Sequence, residues 1–145
     1  MELRLDGKTA VITGGSAGIG LGIATEFVQA GANVMIVSRK AEKCEAAAEQ
    51  LRALGGGEVD WRAAHTGGED GGADVMAATL ERFGSMDILV NNAATNPHAG
   101  PLIEAPVGAF DKTVEVNVRG PLLWTQSAWN AWMKDNGGCV INLCL

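Results

Sequence analysis

The chain has 145 residues, 47% hydrophobic and 19% charged, enough apolar material for one globular domain spanning residues 1–145. Its net charge of −6, without a basic run, excludes nucleic acid as an expected partner, and no apolar stretch approaches membrane-spanning length. Met1-Glu2-Leu3-Arg4 lacks the apolar core of a signal peptide, and Cys44, Cys139 and Cys144 show no C-x-x-C spacing, so a cytoplasmic protein with reduced, partly buried thiols is expected.

A first strand is expected at Lys8–Thr13, on the apolar run Thr9-Ala10-Val11-Ile12. It runs into Thr13-Gly14-Gly15-Ser16-Ala17-Gly18-Ile19-Gly20 and then a helix over Ala17–Gln29, with Ala24, Phe27 and Val28 at helical spacing. Strand, glycine turn and helix start in that order make a site for a pyrophosphate. Unpaired N–H groups at the helix start face the anion, and glycine permits both unusual dihedrals and close approach. A second strand follows at Asn33–Val37, a helix at Ala41–Leu54, a strand at Glu58–Ala64, a helix at Gly72–Phe83 and a strand at Asp87–Val90. Gly31, Gly55 and Gly84 fall where helices should stop, and Gly67-Gly68-Glu69-Asp70-Gly71-Gly72 reads as a flexible loop and nothing more. A long helical segment from about Val107 to Lys134 contains Pro121, which should kink it just after Asn117, and a fifth strand is expected at Cys139–Cys144. Repeated strand–helix units imply an α/β fold, a parallel sheet of five strands with helices on both faces.

Three further signatures follow the Gly14-x3-Gly18-x-Gly20 turn in register: Asn91-Asn92-Ala93-Ala94, Val116-Asn117-Val118 and Gly138-Cys139-Val140-Ile141-Asn142. Together they resemble the N-terminal, cofactor-binding part of a short-chain dehydrogenase/reductase, from Leu5 to about Asn142, and the resemblance implies a doubly wound, Rossmann-like sheet with its five strands in order 3-2-1-4-5. The resemblance implies that Gly14, Ser16, Gly18, Ile19 and Gly20 line the adenine-ribose and pyrophosphate end of a nicotinamide cofactor. It further implies that Asn92 and Ala93 contact the cofactor's middle while Asn91 braces the sheet. Asn117 matches the asparagine that holds a water in the family's proton relay; alternatively it stabilises the kink beside Pro121. His65 stands where the family often carries an aspartate facing the adenine amino group. It either stacks or hydrogen-bonds there or is a satisfied structural histidine.

The second strand ends in Val37-Ser38-Arg39-Lys40. An acidic residue there would hydrogen-bond a ribose 2′-hydroxyl, whereas a hydroxyl and a guanidinium suit a 2′-phosphate. Ser38 and Arg39 therefore favour NADP(H) over NAD(H); alternatively Arg39 and Lys40 merely open the next helix in solvent. No metal site is expected, because His65 and His98 stand near no ligand cluster. Asn96, Pro97 and His98 read as loop.

The family places its catalytic serine at the end of the fifth strand and a Tyr-x-x-x-Lys beyond it. The match puts the serine position at Leu145, and the chain contains no tyrosine. A positioned general acid is worth ~10²–10⁴-fold, so a catalytically incompetent chain is expected, lacking the family's C-terminal strands. The ending Leu143-Cys144-Leu145 leaves the family pattern, as it would after a frameshift, a premature stop or a gene-model error. The alternative is a non-catalytic nucleotide-binding or dimerising interaction module. An active enzyme with relocated catalytic residues finds no support in the positions of the two histidines. Leu122, Leu123, Trp124, Trp129, Trp132 and Met133 are too many apolar groups for a solvated helix, so self-association through 107–134 is also expected.

Overall fold

A computed structural model describes residues 1–144; Leu145, the expected serine position, lies outside the described residues. Five parallel strands, β1 (Thr9–Thr13), β2 (Asn33–Ser38), β3 (Val59–Ala63), β4 (Ile88–Asn91) and β5 (Cys139–Asn142), form one sheet in the order β3-β2-β1-β4-β5. The order matches the expected one. The register is continuous across the centre: Val11 lies beside Met35 of β2 and Leu89 of β4.

Every residue of β1 is buried, as a central parallel strand covered on both faces requires. Alternation along the strands sends Ala10, Ile12, Val34 and Ile36 to one face. There they pack on α1 (Gly18–Gln29) and α2 (Ala41–Arg52) through Ala24, Val28, Ala48 and Leu51. Val11, Met35, Val37 and Leu89 go to the other face, against Val75 and Met76 of α3 (Ala73–Phe83) and Trp124, Ala128 and Met133 of the long helix. The two apolar layers account for the doubly wound form, since each face of the sheet has its own pair of helical partners.

The long helix runs through 107–136 but changes pitch twice. Between Val107–Val114 and Gly120–Ala128 lies a wider, π-helical turn at Glu115–Arg119, where the Gly120 N–H donates to the carbonyl of Glu115. Pro121 follows at once. With no N–H to offer the preceding turn, it stands where an ordinary helical bond is missing, and the distortion expected beside Asn117 takes this form. A second such turn, Trp129–Met133, has no proline near it, and nothing in the sequence announces it.

Two expectations need correction. The glycine loop after β3 is not merely a flexible spacer. Gly72 adopts φ +75° and a Cβ there would come within 2.7 Å of the buried Trp124 ring, so the loop's glycines let it close on the core. Arg119 also donates to the Gly67 carbonyl at 2.8 Å. The thiols differ too: Cys44 is buried, and that burial pushes its pKa up, whereas Cys139 and Cys144 are exposed. Cys139 opens β5, at the rim of the sheet, where three of four residues face solvent, and Cys144 lies two residues beyond its end. Among the described residues no helix is long and apolar enough to cross a membrane, and no cluster of ligating side chains could hold a metal ion.

Candidate functional site

The carboxyl ends of β1, β2 and β4 open into a cleft of about 350 Å³. It sits where the chain order reverses, between β1 and β4, which is where open parallel sheets bind ligands. Gly14, Ser16 and Ile19 line one part of it, and Asn92, Ala93, Ala94 and Thr95 the adjoining wall. Ser38, Arg39, His65, Thr66, Lys112 and Val116 form the far end. Of the residues singled out from sequence, Gly14, Ser16, Ile19, Ser38, Arg39, His65, Asn92 and Ala93 come together here. Gly18, Gly20 and Asn117 do not line it.

Gly18 and Gly20 act one step back, in the shape of the turn. Gly14 and Gly18 take φ +66° and +55°, in the left-handed region that side chains disfavour. A Cβ on Gly20 would lie 2.2 Å from the Gly14 carbonyl oxygen and 2.5 Å from Asn92 Nδ2, so the helix start can press on the turn only without a side chain. The turn is tied to β2 by Gly15 N–H donating to the Val37 carbonyl at 3.2 Å. At the start of α1, Ala17 offers no side-chain cap and the first turn holds no acidic residue. The N–H groups of this first turn therefore have no side-chain cap and no acidic neighbour on the helix, and the positive end of the helix dipole lies beside the glycine turn.

Thr13, the last residue of β1, has a role that its place in the glycine motif does not reveal. Its hydroxyl accepts from the backbone N–H groups of Asn92 and Ala93, each at 3.0 Å, and donates to the Val90 carbonyl at 3.3 Å. Asn92 returns the link, its Nδ2 donating to the Thr13 and Gly14 carbonyls at 3.1 and 3.3 Å. The Asn92 side chain thus faces the back of the glycine turn. Asn91 spans the sheet instead, donating to Asn142 Oδ1 at 2.9 Å and Thr125 Oγ1 at 3.3 Å.

Asn117, inside the π-helical turn, makes a paired bridge to one residue. Its Nδ2 donates to the Thr95 carbonyl at 2.9 Å and its Oδ1 accepts the Thr95 N–H at 2.8 Å. The bridge fastens the chain leaving β4 to the long helix. Thr95 went unnoticed in the sequence because an amide bridge to backbone leaves no mark on the partner's identity.

At the far end the wall is built from charge. His65 Nδ1 accepts the Gly67 N–H at 3.1 Å, and its Nε2 lies 3.2 Å from Lys112 Nζ. Lys112 also donates to Glu115 Oε1 at 3.0 Å. That bond, with the charges of Lys112, Arg119 and His65 nearby, holds the Glu115 carboxyl below its ordinary pKa. Gly120 lets this part of the long helix reach β3's end: a Cβ there would stand 2.7 Å from the Thr66 carbonyl. Lys112 carries no signal in the sequence, since it reaches His65 across 47 residues. Arg39 is exposed and forms no ion pair among the described residues. Among the described residues the cleft lining contains no aspartate or glutamate.

Comparison with known proteins gives a family, a relative and two solved structures to set beside this geometry. The family model for short chain dehydrogenase matches residues 8–144. A Caenorhabditis elegans dehydrogenase/reductase SDR family member 4 is 36% identical over 138 residues, covering 95% of this chain and 53% of that protein. Among solved structures, a metagenomic short-chain oxidoreductase in complex with NADP superposes with TM-score 0.85 at 33% identity, over 95% of this chain and 62% of the other. A 7α-hydroxysteroid dehydrogenase complexed with NADH and 7-oxo-glycochenodeoxycholic acid gives TM-score 0.89 at 31% identity, over 98% of this chain and 55% of the other. The chain spans about half the length of the curated relatives it matches.

Proposed function

This chain belongs to the short-chain dehydrogenase family, and from that membership we propose that residues 1–145 act as one unit, the NADP(H)-binding part of a short-chain oxidoreductase. The observation that carries the reading is the cleft itself. It joins an uncapped helix start and a glycine turn to a guanidinium without an ion-pair partner, with no carboxylate in its lining to repel an anion, among the described residues. The glycine turn and the start of α1 would take the pyrophosphate, with Gly14, Ser16 and Ile19 along its path and Gly18 and Gly20 shaping the turn from behind. Ser38 and Arg39 would take a ribose 2′-phosphate, the hydroxyl and the planar fork matching its oxygens. Asn92 and Ala93 shape the wall along the cofactor's middle, and Asn117 positions that wall through Thr95. When bound, the cofactor supplies a hydride donor or acceptor for a carbonyl or alcohol substrate of the parent family. The chain itself holds no tyrosine to serve as general acid, so its 145 residues bind without turning over.

Calorimetric titration of the folded chain tests this. Saturable NADPH binding, at least tenfold tighter than NADH, is the expected result. No saturable NADPH signal at millimolar ligand would sink the reading, and NADH binding as tightly as NADPH would sink the 2′-phosphate assignment alone.

A second reading rests on a different observation. Val107, Phe110, Val118, Leu122 and Trp129 are exposed along the long helix, Trp129 by 56%. That apolar face supports self-association through the long helix. Sedimentation velocity at rising concentration would show a dimer; a monomer throughout the micromolar range would refute it.

A further inference from the structure

β3 stands at an edge of the sheet, with β2 on one side and no strand on the other among the described residues. The Glu58 carbonyl accepts the Val34 N–H at 2.8 Å, and the Ala64 N–H donates to the Ser38 carbonyl at 3.0 Å. Alternate residues of a parallel strand turn to the same neighbour, so Val59, Trp61 and Ala63 turn their backbone groups outward. Such a row is a template for another strand. Here side chains already occupy the middle of it. Arg52 Nε donates to the Val59 carbonyl at 3.0 Å, Asp60 Oδ1 accepts the Trp61 N–H at 2.8 Å, and Arg62 Nη1 donates to the Trp61 carbonyl at 2.8 Å. One carboxylate gathers the arginines: Asp60 lies 3.9 Å from Arg52, 3.8 Å from Arg62 and 3.7 Å from Arg82. Arg52 ends α2 and Arg82 belongs to α3, so the group straddles the edge from both faces of the sheet. Arg82 also donates to Glu58 Oε2 at 3.0 Å.

We propose that Asp60 and its three arginines close the β3 edge, and that the partner they exclude is a second copy of this chain. The arginines are half-exposed, and each ion pair is worth little by itself. Their effect comes from position, because a strand arriving at β3 must displace the groups that already hold Val59 and Trp61. The outward set Val59, Trp61 and Ala63 is symmetric about Trp61. A second β3 laid antiparallel on a two-fold axis at Trp61 sets Val59 opposite Ala63 and Trp61 opposite its own counterpart. Every outward N–H then meets a carbonyl, so the edge is complementary to itself once the side chains leave it. None of these residues lines the cleft, and none belongs to the exposed apolar face of the long helix. The edge is therefore a third surface, separate from cofactor binding and from association through that helix.

Sedimentation velocity at rising concentration compares Asp60→Ala with the unaltered chain, with far-UV circular dichroism to confirm that each is folded. The variant should associate one step beyond the parent's own state, about tenfold or more strongly, as expected when several backbone hydrogen bonds become available. Ala63→Pro added to it should return the sedimentation to that of the parent. Proline removes an outward N–H there and breaks no bond to β2. Asp74→Ala makes the same charge change at an exposed position of α3 and should sediment like the parent. Should Asp60→Ala fail to fold, Arg52→Met combined with Arg62→Met frees the Val59 and Trp61 carbonyls and is judged by the same criteria. A folded variant that sediments as the parent does would overturn the proposal. So would added association that Ala63→Pro leaves in place, or that Asp74→Ala reproduces.

Discussion

At the glycine end of the cleft the ligand-facing groups are backbone, while at the far end they are side chains. Gly14 contributes backbone to the lining and Gly18 and Gly20 the shape of the turn, and what fixes them is close approach: Gly20 where a Cβ would collide with the Gly14 carbonyl, and Thr13 and Asn92 across the β1–β4 junction. Ser38, Arg39, His65 and Lys112 contribute hydroxyl, guanidinium, imidazole and ammonium groups from three separated stretches of chain. A backbone site tolerates almost no change in volume and is indifferent to which dinucleotide it holds, because every such ligand has the same pyrophosphate. A side-chain site tolerates substitution and decides between ligands. Recognition and discrimination are thus divided between the two ends.

Substitution at the glycine end should break the fold and binding together. Gly20→Ala puts a methyl group 2.2 Å from a backbone oxygen, and the turn or helix must shift. A destabilisation of about 1–3 kcal/mol in urea unfolding is expected, with at least tenfold weaker binding of NADPH and NADH alike. Gly22→Ala is the control on the same helix. Its Cβ would meet nothing within 4 Å, so the change should stabilise the protein by about 0.5–1 kcal/mol. If both variants behave alike, close approach is not the reason for glycine at position 20.

Thr13→Val keeps the volume and removes the hydroxyl that two backbone N–H groups share. Leaving those donors short of a partner should cost about 1–3 kcal/mol, again with equal losses for both cofactors. Unchanged stability would mean that the junction of β1 and β4 does not depend on that oxygen.

At the far end the outcome should separate ligands instead. Arg39→Asp exchanges a guanidinium for a carboxylate beside the proposed 2′-phosphate, on an exposed side chain without an ion-pair partner among the described residues. NADPH affinity should fall by about tenfold or more, the worth of a charge-assisted hydrogen bond, while NADH affinity holds or rises and thermal stability stays put. Equal losses for both cofactors would argue against the contrast.

The smallest effect concerns pH. Glu115 in the folded chain titrates below its ordinary value because Lys112 and its neighbours favour the carboxylate. A depressed folded pKa contributes stability that is present above the unfolded value, near pH 4.3, and is lost as pH falls through the folded one. Urea unfolding from pH 6 to pH 3 should therefore show a slightly shallower acid loss for Glu115→Gln than for the parent chain. Identical acid limbs would mean that solvent screens the pair completely.

Much of the glycine end was legible in the sequence. A positive φ or a forbidden Cβ restricts a position to glycine, so Gly14, Gly18 and Gly20 announce themselves by type and spacing. Asn92 was legible as a site residue, but its side chain braces Thr13 and Gly14 from behind. Thr13 and Thr95 were not legible as bracing partners, since one uses a common hydroxyl and the other only its backbone. At the far end Ser38, Arg39 and His65 could be placed because each closes or follows a strand. Lys112 could not, because nothing local distinguishes it from any other lysine on a helix.

The strand runs and the helices between them were enough to determine a parallel sheet covered on both faces, while its order and the end at which a cleft would open came from the motifs that carry the family resemblance. Local conformation and apolar periodicity are properties of short segments, and short segments carry them in their own residues. Only the tertiary structure decided that two glycines stand behind the cleft and that the loop at Gly72 closes on Trp124. It alone brought Lys112 to His65, Asn117 to Thr95 and Thr13 to Asn92. Those are meetings between distant stretches of chain, and their distances are set by how helices and strands pack.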